Sequence, residues 1–149
     1  MIISVPDITI ICVGALKDRH ITSIAEMYLT RLRHEARMTI HEIRDGTPEK
    51  EGVRIAGLVE KAGGYSFALS EEGKTYSSRK FAARLGAITG KMTFIIGGAS
   101  GLSDRVKKEA DELFSLSPLT FTHEIARMLL FEQIYRAISI LHNRAYHKG

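Results

Sequence analysis

Five times along the chain a short strand-like stretch gives way to a segment whose apolar residues return at helical spacing. That alternation restricts the fold more than any other property of the sequence. Ile8 to Val13 is a β-branched run ended by Gly14, and Met38 to Ile43 is a second, closed by Arg44-Asp45-Gly46. Tyr65 to Leu69 follows, then a loop at Ser70 to Lys74, then Met92 to Ile96, and the short segment Ser115 to Thr120 is the fifth. Between the strands, Ile21, Ile24, Ala25, Tyr28, Leu29 and Leu32 line one face of a helix starting near Asp18. Pro48-Glu49 opens a weaker helix carrying Ile55, Leu58, Val59 and Ala62, and Gly63-Gly64 ends it. Ser77 or Ser78 caps a third with Phe81, Ala82 and Leu85 on one side. Ser103 caps a fourth whose Val106, Ala110, Leu113 and Phe114 are expected to face inward. Short apolar strands joined by helices predict an α/β fold, a mostly parallel sheet with helices on both faces. No repeat or linker interrupts the pattern, so residues 1–149 are expected to form one domain.

The last helix is the unusual element. Pro118 keeps the chain extended before it, Thr122 is a plausible N-cap, and Glu124 places negative charge in the first turn. One apolar line runs through Leu130, Ile134, Ala137, Ile138 and Leu141; a second runs Ile125, Met128, Leu129, Phe131 and Tyr135. Two lines are more than one core face needs, and a partner subunit is the expected second cover. Glu132 and Arg136 stand four apart and can pair.

Composition excludes several classes. No apolar run is long enough to cross a bilayer, and Met1 to Asp7 lacks the form of a signal peptide. One cysteine, Cys12, lies inside an apolar run, which suits a buried strand residue of a cytoplasmic protein. A net charge of +4 and a pI near 9.3 are compatible with a polyanionic partner without requiring one.

Ligands of open parallel sheets sit beyond the carboxyl ends of the strands. Three loops qualify: Leu69 to Lys74, Gly97 to Gly101 and Leu116 to His123. The glycines of the second let backbone approach a ligand closely, or serve only a packing turn. Val13-Gly14-Ala15 lacks the rest of a GxGxxG fingerprint, and no GxxxxGK[ST] exists. His123-Glu124 begins like HExxH, but Arg127 occupies the second histidine position. The lone cysteine rules out a CxxC zinc site, and no metal site is expected.

Ile96-Gly97-Gly98-x-x-Gly101, Leu116-Ser117-x-Leu119-Thr120, His123 with Arg127, Glu132-Gln133-x-Tyr135-Arg136-Ala137 and Tyr146-His147-Lys148 together resemble the SPOUT-class RNA methyltransferases. Within that class the chain is similar to the bacterial pseudouridine N3-methyltransferases of large-subunit ribosomal RNA, from about Ile8 to its end; Met1 to Pro6 looks like a short extension. Ser70 stands where the family more often has Asp, and Thr122 where it commonly has Pro. The resemblance implies S-adenosylmethionine as methyl donor, a Rossmann-like SPOUT fold with a C-terminal trefoil knot, and a homodimer. It implies cofactor contacts at Leu69, Gly97 and the run Leu116, Ser117, Pro118, Leu119, Thr120 and Phe121, mostly through backbone and apolar packing.

The substrate so implied sets the chemistry. N3 of pseudouridine is a poor nucleophile until it loses its proton, so a site must position the ring, accept that proton and stabilise the anion. Arg136 is the candidate cation, or else a helix salt bridge to Glu132. His123 is a candidate polar group or base, or else a helix-start residue with local hydrogen bonds only. Tyr146 and His147 are candidates for positioning or proton transfer, on a tail expected to stay mobile until substrate orders it, or simply frayed. The competing readings are a non-catalytic RNA- or nucleotide-binding α/β module and a small-molecule enzyme with another nucleotide cofactor. The expected partner is the ribosome, assembled rather than as free RNA.

Overall fold

The computed structural model describes residues 5–149. Most of the extension Met1 to Pro6, residues 1–4, therefore lies outside the described residues. In β1 (Asp7–Val13) successive side chains point to opposite faces. Ile8, Ile10 and Cys12 enter one core, Ile11 and Val13 the other. With both faces covered, the strand is mostly apolar rather than alternating, with Thr9 its buried polar residue. β1 pairs in parallel with β2 (Arg37–Ile43) and β4 (Lys91–Ile96), while β3 (Tyr65–Lys74) pairs with β4 and with β5 (Glu112–Phe114). The sheet order is β2-β1-β4-β3-β5.

The helices divide between the two cores. α1 (Arg19–Arg33), α3 (Ser78–Ala87) and α5 (His123–Leu141) join the first, around Phe67, Phe94, Phe81 and Phe114. Phe67 stacks on Phe94 at 4.7 Å and Phe81 on Phe114 at 4.8 Å. Each such ring contributes about 1.5–3 kcal/mol through burial. α2 (Pro48–Ala62) and α4 (Asp104–Glu109) cover the second core through Ile55 and Val106. The chain leaves β1 for β2 at one edge and leaves β4 for β5 at the other. A crevice is therefore expected at the carboxyl ends near that divergence.

Three expected boundaries move. The fifth strand is Glu112–Phe114, not Ser115 to Thr120. Ser66 and Asp111 fix its start, with the Ser66 amide donating to Asp111 Oδ2 at 2.8 Å and the Asp111 amide to Ser66 Oγ at 3.0 Å. After the Ser115 amide, which still donates to the Lys74 carbonyl at 2.9 Å, the chain turns by bonding to itself. Ser115 Oγ donates to the Ser117 carbonyl at 2.8 Å, and Leu119 N donates to Ser117 Oγ at 3.0 Å. α4 accordingly ends at Glu109, and Leu113 and Phe114 are strand residues. β3 runs on to Lys74 through a register shift, so Ser70 to Lys74 is not a free loop. Gly73 permits this: a Cβ there would stand 2.6 Å from the Leu113 carbonyl carbon.

α5 packs between α1 and α3 of its own chain. Leu130, Phe131, Ile134, Ala137 and Ile138 are buried within the described residues. Ile125, Met128, Leu129 and Tyr135 remain half-buried.

Candidate functional site

The carboxyl ends of β3, β4 and β5 open into a groove of about 1040 Å³. Leu69 of β3 and the loop 97–101 form one wall; Leu116, Ser117, Leu119, Thr120 and Phe121 form the other; His123 to Ala126 of α5 close its end. Pro118 is exposed and does not line it. The loop after β4 is drawn into a tight turn, with the Gly101 amide donating to the Gly98 carbonyl at 3.0 Å. Gly101 carries the positive φ, +76°. Gly97 serves differently: a Cβ there would lie 2.8 Å from the Gly101 carbonyl carbon. A side chain at 97 would thus break the turn itself before it met any ligand.

Thr122 caps α5, accepting from the Ile125 amide at 3.3 Å. Glu124 does more than favour the helix dipole. Its Oε1 accepts the backbone amides of Lys17 at 2.8 Å and Asp18 at 3.0 Å. Those two donors hold the Glu124 carboxyl below its ordinary pKa. Arg127, one turn on, is 4% exposed and donates to Glu42 Oε2 at 2.7 Å and to the Gly14 carbonyl. The start of α5 is therefore fastened to the ends of β1 and β2. The sequence placed Arg127 as the residue that spoils HExxH and as part of the family resemblance, with no structural role; its spacing with Leu130, Phe131 and Ile134 was the sign that it faces inward.

Of the candidate polar residues, His123 lines the groove, but Arg136, Tyr146 and His147 do not. They gather around Glu132 farther along α5. Glu132 Oε2 accepts from Arg136 at 2.6 Å and from the Tyr146 hydroxyl at 2.6 Å. Tyr146 also meets the Tyr28 hydroxyl at 2.9 Å. Arg136 has only protons to give, so its 3.0 Å contact makes His147 Nδ1 the acceptor and puts the ring proton on Nε2. The Glu132 hydrogen bond raises the Arg136 pKa, keeping it a permanent cation. Burial first, then the bond to Glu132, pushes the Tyr146 phenol up.

The tail, a short polar terminus, makes specific contacts with the body of the protein. Arg144 donates to Glu35, Arg79 donates to the Gly149 carbonyl, and Tyr146 stacks edge-on against Tyr135 at 4.9 Å. Tyr146 finds partners on α1 and α5, Arg144 finds Glu35 just after α1, and the terminal carbonyl finds α3, which a composition-based reading does not see.

Over residues 7–147 the chain matches the family model described as Predicted SPOUT methyltransferase. A protein of Prochlorococcus marinus (strain NATL2A) named Ribosomal RNA large subunit methyltransferase H is 42% identical over 140 residues, covering 93% of this chain and 94% of its own length. A protein of the same name from Listeria monocytogenes serovar 1/2a is 38% identical over 159 residues, covering 95% of this chain and 99% of its own. Among solved structures, a probable methylase family protein from Haemophilus influenzae Rd KW20 superposes with a TM-score of 0.60 over 95% of this chain and 70% of that one. Its identity is 11%, so that likeness concerns the fold alone.

Proposed function

Because the chain belongs to the SPOUT methyltransferase family, we propose that it methylates N3 of a pseudouridine in large-subunit ribosomal RNA, on the assembled ribosome, using S-adenosylmethionine. The observation that carries this reading is the groove, where Leu69 to Glu71 of β3 meet the loops that follow β4 and β5. Its residues suit the cofactor. Leu119 and Phe121 are 72% and 36% exposed at the rim, apolar surface that a bound nucleoside would cover. The carboxylates of Asp18, Glu71 and Glu124 line the same groove and complement a cation. S-adenosylmethionine supplies a methyl group on a sulfonium that an anionic nitrogen can take in line, leaving a neutral thioether.

The protein's own contribution is placement and charge. Leu69, Gly97 and residues 116–121 hold the cofactor, with Pro118 bending the chain rather than touching it. His123 stands half-buried at the groove's end, in position to accept the N3 proton directly or through water. Arg136 supplies the cation for the ring anion or a neighbouring phosphate. Tyr146 and His147 orient it, and Glu132 holds the set together. Arg136 lies thirteen residues beyond His123, about 20 Å along the helix. A homodimer packed through α5 removes that gap by bringing one protomer's Arg136 cluster to its partner's groove. The same reading includes the C-terminal trefoil knot, one methyltransferase domain, no metal, and action in the cytoplasm.

The test separates the two clusters. Arg136→Ala, and removal of Tyr146 to Gly149, should each lower methyl transfer to ribosomes by about a hundredfold or more. Cofactor affinity should stay within a few-fold of wild type, under about 1 kcal/mol, by calorimetry. Loss of cofactor binding in step with the loss of rate would reject the assignment.

A further inference from the structure

A second, smaller chamber of about 210 Å³ adjoins the groove between α3, β5 and α5. It shares Ser115, Leu116 and Phe121 with the groove as a common wall. Its floor is aromatic: Phe81 and Phe114 are buried, with Tyr76 beside them and Phe121 exposed at the partition. Among its polar lining residues, Ser78 and Gln133 bond each other at 3.0 Å. The Gln133 amide nitrogen donates to Glu132 Oε1 at 2.8 Å, and Glu132 in turn holds Arg136 and Tyr146. A hydrogen-bonded chain thus runs from the chamber to the cationic cluster assigned above to RNA.

Resting on that proposed function, we propose that this chamber is a second base-recognition site, which takes one single-ring nucleobase of the RNA substrate next to the nucleotide that is methylated. Size argues for a single ring: an apolar cavity of about 150 Å³ accepts benzene, and this one is modestly larger. Chemistry argues for a nucleobase rather than an aliphatic group. Its face would stack on the aromatic floor, a contact worth about 1–3 kcal/mol per base in other proteins. Its edge would find a donor and an acceptor in Gln133 and a hydroxyl in Ser78, which suits the alternating carbonyl and N–H groups of a uracil ring. Those side chains bond each other, so admitting the base exchanges one hydrogen bond for others rather than stripping buried groups. The partition of Leu116 and Phe121 separates the chamber from the methyl donor, so the occupant is a neighbour of the target and not the target itself.

Nuclear magnetic resonance with uridine and adenosine 5′-monophosphates as probes reads the site without depending on catalysis. Uridine monophosphate should shift the Gln133 side-chain amide and the methyls of Leu129, which also lines the chamber, with adenosine monophosphate far weaker at both. Leu129→Trp, which fills the chamber, should abolish those shifts. Ser78→Ala with Gln133→Leu tests the polar wall should the filled variant not fold. In the methyl-transfer assay these variants should raise the ribosome KM by about tenfold while leaving the cofactor Kd within a few-fold. Absence of uridine-dependent shifts at Gln133 and Leu129 would overturn the proposal, as would loss of cofactor binding in Leu129→Trp, which would assign the chamber to the cofactor. A wild-type protein that binds uridine monophosphate here yet methylates no ribosome would instead refute the function it rests on.

Discussion

Arg127 is the residue whose role is most fully determined by its surroundings. It is buried, it bonds Glu42 and the Gly14 carbonyl, and its Nε has no partner among the described residues. Arg127→Met keeps the apolar stem and removes both bonds. Hydrogen bonds to charged groups contribute about 1.5–3 kcal/mol, but the Glu42 side chain is 46% exposed and can rehydrate. The expected loss is about 2 kcal/mol, read as a lower urea midpoint at unchanged slope. An unchanged midpoint would mean that the tie contributes nothing. Some single residues were legible in advance: Ser77, Ser103 and Thr122 accept the amides expected of N-caps, and the helix expected to start near Asp18 does so with Asp18 as its cap. Arg127 and Glu124 were not read in these roles, because their partners lie 85 to 113 residues away and nothing local marks them.

At the scale of elements, the alternation of strand and helix was legible because its causes are local: short apolar β-branched runs, helical spacing and caps. The segment 112–120 was misread for the opposite reason. Three residues of β5 leave little apolar signal, and Ser115 and Ser117 turn the chain by bonding it to itself. The junction of α1 and α5 also makes a pH prediction. Amides lower the pKa of Asp18, at the start of α1, and of Glu124, at the start of α5. Each folded pKa lies below its ordinary value, 3.8 and 4.5 respectively. Each carboxylate therefore supports the fold above that value, and the support is lost as pH falls through the depressed pKa. Urea midpoints should drop between about pH 5 and about pH 3. Glu124→Gln should flatten part of that slope; an identical slope in the variant would remove Glu124 from the account.

For the whole molecule, the proposed homodimer rests on half-buried apolar surface of α5 such as Met128 and on the distance between the two clusters. Leu130 and Ile134 are fully buried within one chain, so charge there would test the core and not the interface. Met128→Glu is the better probe, being half-buried. Sedimentation at micromolar concentration should show a wild-type dimer and a variant shifted toward monomer with its helical signal intact. A wild-type monomer that transfers methyl groups would refute the shared site. The α/β class was readable from the chain alone, whereas the convergence of Leu69, Gly97 and residues 116–121 is a product of strand order, which no local pattern encodes. The central claim is the reaction itself. The most direct test incubates the purified protein with ribosomes lacking the modification and isotopically labelled S-adenosylmethionine, then maps the label by nuclease digestion and mass spectrometry. Label on N3 of a single pseudouridine of the large-subunit RNA is the predicted result; label on another base or on the small subunit, or none, would contradict it.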